Sequence, residues 1–123
     1  VGEAAAAADS LLKEVGYPQV AHGPALLSVL IQAAEAQRAA GNFEFAEKLA
    51  TDLIARLDET SVGNPKDNVE VGRAYVQRAE IRLDAGDATG ARRDLERAIP
   101  IIEQGLGEAH DESREARELL KNL

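Results

Sequence analysis

The feature that most constrains this chain is a pair of glycine turns, Ala40–Ala46 and Ala85–Ala91, whose residues recur 45 positions apart. Each turn joins one helical pattern of apolar residues to the next. The repeated positions are Ala34/Ala79, Glu35/Glu80, Ala40/Ala85, Gly41/Gly86 and Ala46/Ala91. A period of this length is typical of stacked helical hairpins. Because such arrays usually expose a surface to partners, the pattern favours a binding protein over an enzyme.

The composition narrows the classes of fold and function. The 123 residues are 45% hydrophobic but only 3% aromatic, which predicts one domain whose helices pack closely through Ala, Leu, Ile and Val. A net charge of −8 argues against general nucleic-acid binding, which needs clustered positive charge. The absence of cysteine excludes disulfides, thiolate catalysis and zinc–sulfur sites. No cofactor is expected.

Methionine usage and the apolar runs bear on where the protein acts. The sequence contains no methionine, even at position 1, so we expect an excised or processed part of a larger protein. No apolar run approaches the roughly 20 residues that span a bilayer, and membrane insertion is not expected. We expect a cytoplasmic protein, with an exported domain of a larger protein as the alternative.

The apolar periodicity predicts an all-α chain of about six helices. Their expected ranges are 3–15, 24–40, 43–59, 65–85, a fifth from the Gly86-Asp87 turn to 104, and a last helix capped by Asp111. The expected inward stripe of the first helix is Ala4, Ala8, Leu11, Leu12 and Val15. Pro100 should bend the fifth helix, and two shorter helices that break at Ile99 are the alternative.

Glycine and short polar residues mark the expected helix ends. Gly41 should take the left-handed conformation that closes the second helix, and Gly86 should have the same role at the end of the fourth. Asn42, Asn64 and Asp87 are suited to cap the helices that follow them.

The residues around the two turns resemble the tetratricopeptide repeat. That family places a small residue in the first helix of each pair, glycine at the turn, and alanine five residues later. The matching residues are Ala34, Gly41 and Ala46, then Ala79, Gly86 and Ala91. The loops before Pro24 and Pro65, and the stretch Leu106–Asp111, are similar to the Leu-Gly-x-x-His-Pro stretch of the long repeats in kinesin light chains. Asp111 stands where that stretch has proline.

The resemblance implies a right-handed stack of antiparallel helix hairpins, an α-α superhelix. Similar modules occur in bacterial signalling proteins. The implied organisation is a flanking helix (1–15), two repeats (24–62 and 63–107) and a capping helix (110–122).

Two arginines depart from the family pattern. Arg78 and Arg82 stand where members usually carry apolar or aromatic residues. They could contact a ligand, or lie at the edge of the interface with their alkyl stems packed. Thr89-Gly90 also replaces a common acidic pair.

A binding surface follows from the resemblance, because the first helix of each pair lines the concave groove of such arrays. The residues assigned to this groove are Ser28, Ile31, Glu35 and Arg38 in the first repeat, and Arg73, Val76, Glu80, Leu83 and Asp84 in the second. Their mixed character favours a peptide of mixed character, with acidic or carbonyl groups meeting Arg38 and Arg73. The expected function is a protein–protein interaction scaffold.

A spacer or homodimerisation unit of a larger signalling protein is the alternative hypothesis. The alanine-rich first helix has an apolar edge that could pair with another copy of the chain. A homodimer is therefore a possible partner state beside a bound peptide.

The sequence gives weak support to a catalytic or metal-binding function. Acidic pairs such as Glu44/Glu47 lie on polar helix faces, where a solvated surface is the usual role. His22 and His110 lie in interhelix loops without closed ligand spacing. A calcium-loop template matches Asp87, Thr89, Gly90 and Glu96, but its first place falls on Ala85, which has no ligand atom in its side chain. No catalytic or metal residue is assigned.

Overall fold

The structure is a computed structural model that describes residues 2–19, 24–60 and 65–123. Within these ranges the chain is all-α, as predicted, and no residue lies in a strand. The helices are α1 (Gly2–Glu14), α2 (Pro24–Ala39), α3 (Phe43–Thr60), α4 (Pro65–Asp84), α5 (Ala88–Leu106) and α6 (Asp111–Lys121). None of the helices in the described ranges has the length and apolar character needed to cross a bilayer.

The chain divides into two compact units. Val1–Leu53 forms the first, with α1, α2 and most of α3; Ile54–Leu123 forms the second, with the end of α3 and the helices α4, α5 and α6. The predicted caps and loops at His22, Gly23 and 61–64 lie outside the described residues.

The first unit packs α1 against α2. The buried residues of α1 are Ala5, Ala8 and Leu12. The predicted stripe is therefore wrong in part, because Ala4 is exposed and Leu11 is 38% exposed. Ala5 lies inward, and its carbonyl accepts a hydrogen bond from the buried Gln37 amide over 3.4 Å.

The helices α2 and α3 meet at a tight turn. Gly41 has a φ of 81°, the left-handed conformation predicted for it. The side chains on either side of this turn that reach zero exposure are Leu30, Ala33, Ala34, Ala46, Leu49 and Ala50. Four of these six residues are alanines, so the buried part of α2 and α3 is formed mainly by small side chains.

The second unit is built on the α4–α5 hairpin. Its fully buried residues include Ala79, Ala91, Leu95 and Ala98. At Gly72 the approach is so close that an added Cβ would lie 2.8 Å from Cγ1 of Ile102. Gly72 and the buried alanines thus allow α4 and α5 to pack closely.

The helix α5 runs unbroken through Pro100 to Leu106, so the alternative of two shorter helices is wrong. Pro100 and the residue four places before it, Glu96, are both exposed. The carbonyl that proline leaves without an intrahelical donor therefore lies on the side open to water, which lowers the cost of keeping the helix.

The helix α6 starts one residue differently from the prediction. Its N-cap is His110, whose Nδ1 accepts the Glu112 N–H over 3.1 Å. Asp111 is already helical and pairs with Arg114, so the prediction that Asp111 is the cap is wrong. Buried Ser113 ties the start of α6 to the preceding turn, because its hydroxyl donates to the Gly107 carbonyl over 2.7 Å.

Candidate functional site

A cavity of about 610 Å³ lies in the second unit, where α4 and α6 face each other above α5. We call it the α4–α6 cleft. Its lining residues are Arg73, Val76, Gln77, Glu80, Ile102, Glu112, Glu115, Ala116, Glu118, Leu119 and Asn122. This volume is within the range of clefts that hold a small ligand or a short peptide segment.

The floor of the cleft is apolar. Ile102 and Ala116 are nearly fully buried at its base. Val76 and Leu119 are half-buried, and both pack on the core of the unit. The floor is therefore held by the core and does not depend on a bound partner for its shape.

The rim of the cleft is mainly acidic. Four glutamates and one arginine line the cleft, giving a formal charge of −3. Three of the glutamates are spaced along α6 at intervals of three residues, Glu112, Glu115 and Glu118. Residues at this spacing are neighbours on a helix surface, so they form one acidic stripe beside the apolar floor.

Arg73 bridges α4 and α6 across the cleft. Its Nε donates to Oε1 of Glu112 over 2.8 Å, and its Nη2 donates to Oε2 over 2.7 Å. Its Nη1 also donates to Glu70 on its own helix. Hydrogen bonds from Arg73 hold the pKa of Glu112 below its ordinary value, and the same bonds raise the pKa of Arg73.

The structure brings together part of the groove predicted on the second repeat. Arg73, Val76 and Glu80 line the cleft. Leu83 instead packs on the core cluster of Ala79, Ala91 and Leu95. Asp84 is the exposed last residue of α4 and does not line the cleft.

The groove residues predicted on the first repeat all lie on α2, in the first unit. Ser28, Ile31 and Glu35 are exposed, and Arg38 is half-buried. Arg38 pairs with Glu35 over 3.3 Å, and the Ser28 hydroxyl accepts a hydrogen bond from Gln32 over 3.3 Å. None of the four lines the cavity of this unit, whose lining residues are Asp9, Gln37, Gly41, Asn42, Phe43, Glu44, Phe45 and Lys48.

The α6 side of the cleft was not predicted. Glu115, Ala116 and Leu119 line it, whereas the sequence analysis assigned this segment only as a capping helix and placed no groove residue on it. A usable signal was present, because the resemblance makes α6 the helix that would open a further repeat. Its inward face would then lie beside α4 in the same groove.

The two arginines that depart from the family pattern hold a buried carboxylate. Asp94 on α5 is 2% exposed. Arg78 donates to it from Nε over 3.0 Å and from Nη2 over 2.7 Å, and Arg82 donates from Nη1 over 3.0 Å. Both arginines therefore link α4 to α5 through the Asp94 carboxylate.

Two of the candidate metal positions, Asp87 and His110, are engaged in helix capping. The Asp87 side chain accepts the Gly90 N–H over 2.9 Å, as expected of a cap, and His110 caps α6. Among residues 2–19, 24–60 and 65–123, no three His, Asp or Glu side chains are grouped to hold a metal ion.

No protein-family model, curated protein or solved structure matches the chain.

Proposed function

We propose that this chain is an interaction module of the tetratricopeptide-repeat type, which docks a peptide segment of a partner protein in the α4–α6 cleft. The observation that carries the proposal is the position of the cleft. It lies on α4, the first helix of the second repeat, and on α6, the helix that follows that repeat. In arrays of this type, neighbouring first helices form the binding surface.

The chemistry of the cleft also supports a peptide ligand. An apolar floor beside polar side chains provides burial for a side chain and hydrogen-bonding groups for the backbone around it. The grouping of residues needed for acid–base chemistry is a perturbed, buried carboxylate in a pocket. The glutamate with a shifted pKa here, Glu112, is shifted toward the ionised form by an arginine that joins two helices. This arrangement supports a binding role for the cleft.

Selection from a random peptide library displayed on phage tests the proposal. We expect the chain to enrich peptides whose binding is lost in Glu115→Trp, because the indole ring would occupy the mouth of the cleft. Lys121→Trp is the matched control, since Lys121 is exposed on the same helix and does not line the cleft. Circular dichroism establishes that both variants keep the helical fold. No enrichment, or enrichment that is equal in Glu115→Trp, would remove the proposal.

Self-association through α1 is a second candidate, favoured by one observation. Ala4, Ala7 and Leu11 are exposed on this helix, and they recur at the spacing of a helix face. Light scattering over a concentration series tests it. A dimer that Leu11→Lys converts to a monomer would favour the spacer or dimerisation role.

A further inference from the structure

We infer that the α4–α6 cleft selects a basic segment, in which lysine or arginine flanks an aliphatic anchor residue. The inference rests on the proposed function and adds the chemistry of the partner. It reverses the sequence-based expectation that Arg73 meets an acidic partner.

The anchor follows from the floor of the cleft. Ala116 is the smallest side chain there, and it lies beside the larger Val76, Ile102 and Leu119. Ala116 and Ile102 are nearly fully buried, so the half-buried Val76 and Leu119 provide the open apolar surface for one incoming side chain. An aliphatic residue fits it, because every floor residue is aliphatic and burial of apolar area provides the main binding free energy.

The preference for a basic partner follows from where the charges on the rim are engaged. Arg73, the cation of the lining, is bound by both carboxylate oxygens of Glu112 and by Glu70. Its positive charge is thus offset before a partner arrives. Glu115 and Glu118 lie exposed on the same rim, one helical turn apart.

The arginines of α6 are directed to other carboxylates. Arg114 pairs with Asp111, and Arg117 pairs with Glu103. Neither arginine lines the cleft. The potential in the cleft is therefore negative, and it has the same sign as the net charge of −8 on the whole chain, which would steer a cationic segment toward it.

The test measures charge preference directly by fluorescence anisotropy. Three fluorescein-labelled peptides share a central leucine and differ only in the flanking residues, which are lysine, glutamine or glutamate. We expect the lysine peptide to bind most tightly and the glutamate peptide to bind at least about tenfold more weakly. Added salt should reduce the difference, because exposed charges are screened over about 8–10 Å at moderate ionic strength.

Charge reversal in the cleft should invert the order of affinities. The double variant Glu115→Lys/Glu118→Lys is expected to prefer the glutamate peptide. The matched control is Glu96→Lys/Glu108→Lys, which changes the net charge equally at two exposed positions outside the cleft. Glu115→Gln/Glu118→Gln is a milder variant, which should remove most of the preference without introducing repulsion.

The outcomes separate this inference from the proposed function. If glutamine or glutamate peptides bind as well as the lysine peptide, and Glu115→Trp blocks them, the cleft remains a docking site and the basic preference is wrong. If the control pair weakens binding as much as the cleft pair, the attraction comes from net charge and the inference is wrong. If no peptide binds, and the library selection also enriches none, both proposals are wrong.

Discussion

The two helical hairpins hold equivalent positions by different chemistry. In the first hairpin, Ala33 and Leu49 are fully buried, and Gln37 is 1% exposed. These positions are thus filled by two apolar side chains and a neutral amide. The 45-residue spacing aligns each of them with a charged residue in the second hairpin.

In the second hairpin the corresponding residues are Arg78, Asp94 and Arg82. Asp94 occupies the place of a buried leucine and is held by both arginines. Gly90 leaves room for the Asp87 cap and for Arg82 of this group, because an added Cβ would lie 2.2 Å from Oδ2 of Asp87 and 3.0 Å from Cδ of Arg82. Tyr75 packs beside it, with its ring 5.4 Å from the Arg78 guanidinium carbon.

One hairpin pattern thus accommodates either apolar packing or a buried ion group at these positions, but the two respond differently to mutation. An apolar site loses stability in proportion to the volume removed. A buried ion group depends on every partner, because one charge left alone keeps its desolvation cost and loses the compensating attraction. The second hairpin should therefore be more sensitive to single substitutions and more tolerant of replacing the whole group.

The largest expected effect is that of Asp94→Ala. We expect a loss of about 3 kcal/mol in the free energy of unfolding, since two arginines lose their shared acceptor. The value lies at the lower end for buried pairs because the Arg78 and Arg82 side chains keep 15% and 20% exposure. Urea denaturation measures the change. An unaltered midpoint would mean that the ion group adds nothing to the hairpin.

The control for that variant gives the second hairpin the three residues that the first hairpin has at the equivalent positions. Arg78→Ala/Arg82→Gln/Asp94→Leu introduces the residues found at 33, 37 and 49. We expect this triple variant to recover most of the stability lost in Asp94→Ala, because replacing a whole buried ion group by packed residues is often neutral. A triple variant less stable than Asp94→Ala would show that the hairpins are not interchangeable.

A medium effect is expected at Ala34 and Ala79, the buried alanines at equivalent positions of the two hairpins. Ala34→Leu and Ala79→Leu should each lower stability by about 1–3 kcal/mol, because both sites are fully buried and overpacking displaces a neighbour. Ala55→Leu serves as a control at an exposed position of α3. Thermal melts compare the three. If only one of the buried variants melts early, close approach is a property of one hairpin and not of the repeat.

A smaller and equal effect is expected at the two turns. Gly41→Ala and Gly86→Ala should each cost about 1 kcal/mol, since φ is 81° and 87° and nothing lies within 4 Å of the added Cβ. The penalty is therefore in the backbone alone. Gly86→Val should cost more, because a β-branched residue is more strained there. Denaturation midpoints that differ between the two alanine variants would contradict the equivalence of the turns.

The smallest effect concerns the bridge from Arg73 to Glu112. The folded pKa of Glu112 is lowered, so its stabilisation is present above the ordinary glutamate pKa and is lost as the pH falls through the lowered value. We expect no more than about 1 kcal/mol, because Arg73 and Glu112 are 42% and 35% exposed.

Copying the first hairpin tests that bridge. The position equivalent to Arg73 is Ser28, so Arg73→Ser gives the second hairpin the residue that the first one has there. Urea unfolding of the wild type and the variant across acidic pH should give a stability difference that narrows as the pH falls. A difference that stays constant would assign the contribution of Arg73 to packing and not to Glu112.

Helix positions followed from the sequence because their signals are local. Pro24, Phe43 and Pro65 begin their helices as predicted, and Gly41 and Gly86 have the predicted backbone. Such signals depend on a few neighbouring residues, so a periodic pattern and a glycine are sufficient to read them.

The sequence did not predict which side chains of different helices contact one another. Arg78 and Arg82 were recognised as unusual, but their acceptor Asp94 is 16 and 12 residues away, among other acids. On α1, five consecutive alanines have no preferred face, and the predicted stripe was displaced. The α6 wall of the cleft was missed because its glutamates look the same whether they face a cleft or open water.

The hydrogen bonds of Gln37 have a consequence for how α1 finds its place. Its Nε2 donates to Oδ1 of Asp9 over 2.9 Å as well as to the Ala5 carbonyl, and its Oε1 accepts from Nδ2 of Asn42 over 2.7 Å. A helix of alanines offers many nearly equal ways to slide or rotate along a neighbour. In the observed register the Nε2 group of this buried amide is paired with α1, and a slip that removed Ala5 and Asp9 from it would cost about 1–3 kcal/mol. The hydrogen bonds of one glutamine thus favour the observed register of α1 over neighbouring ones.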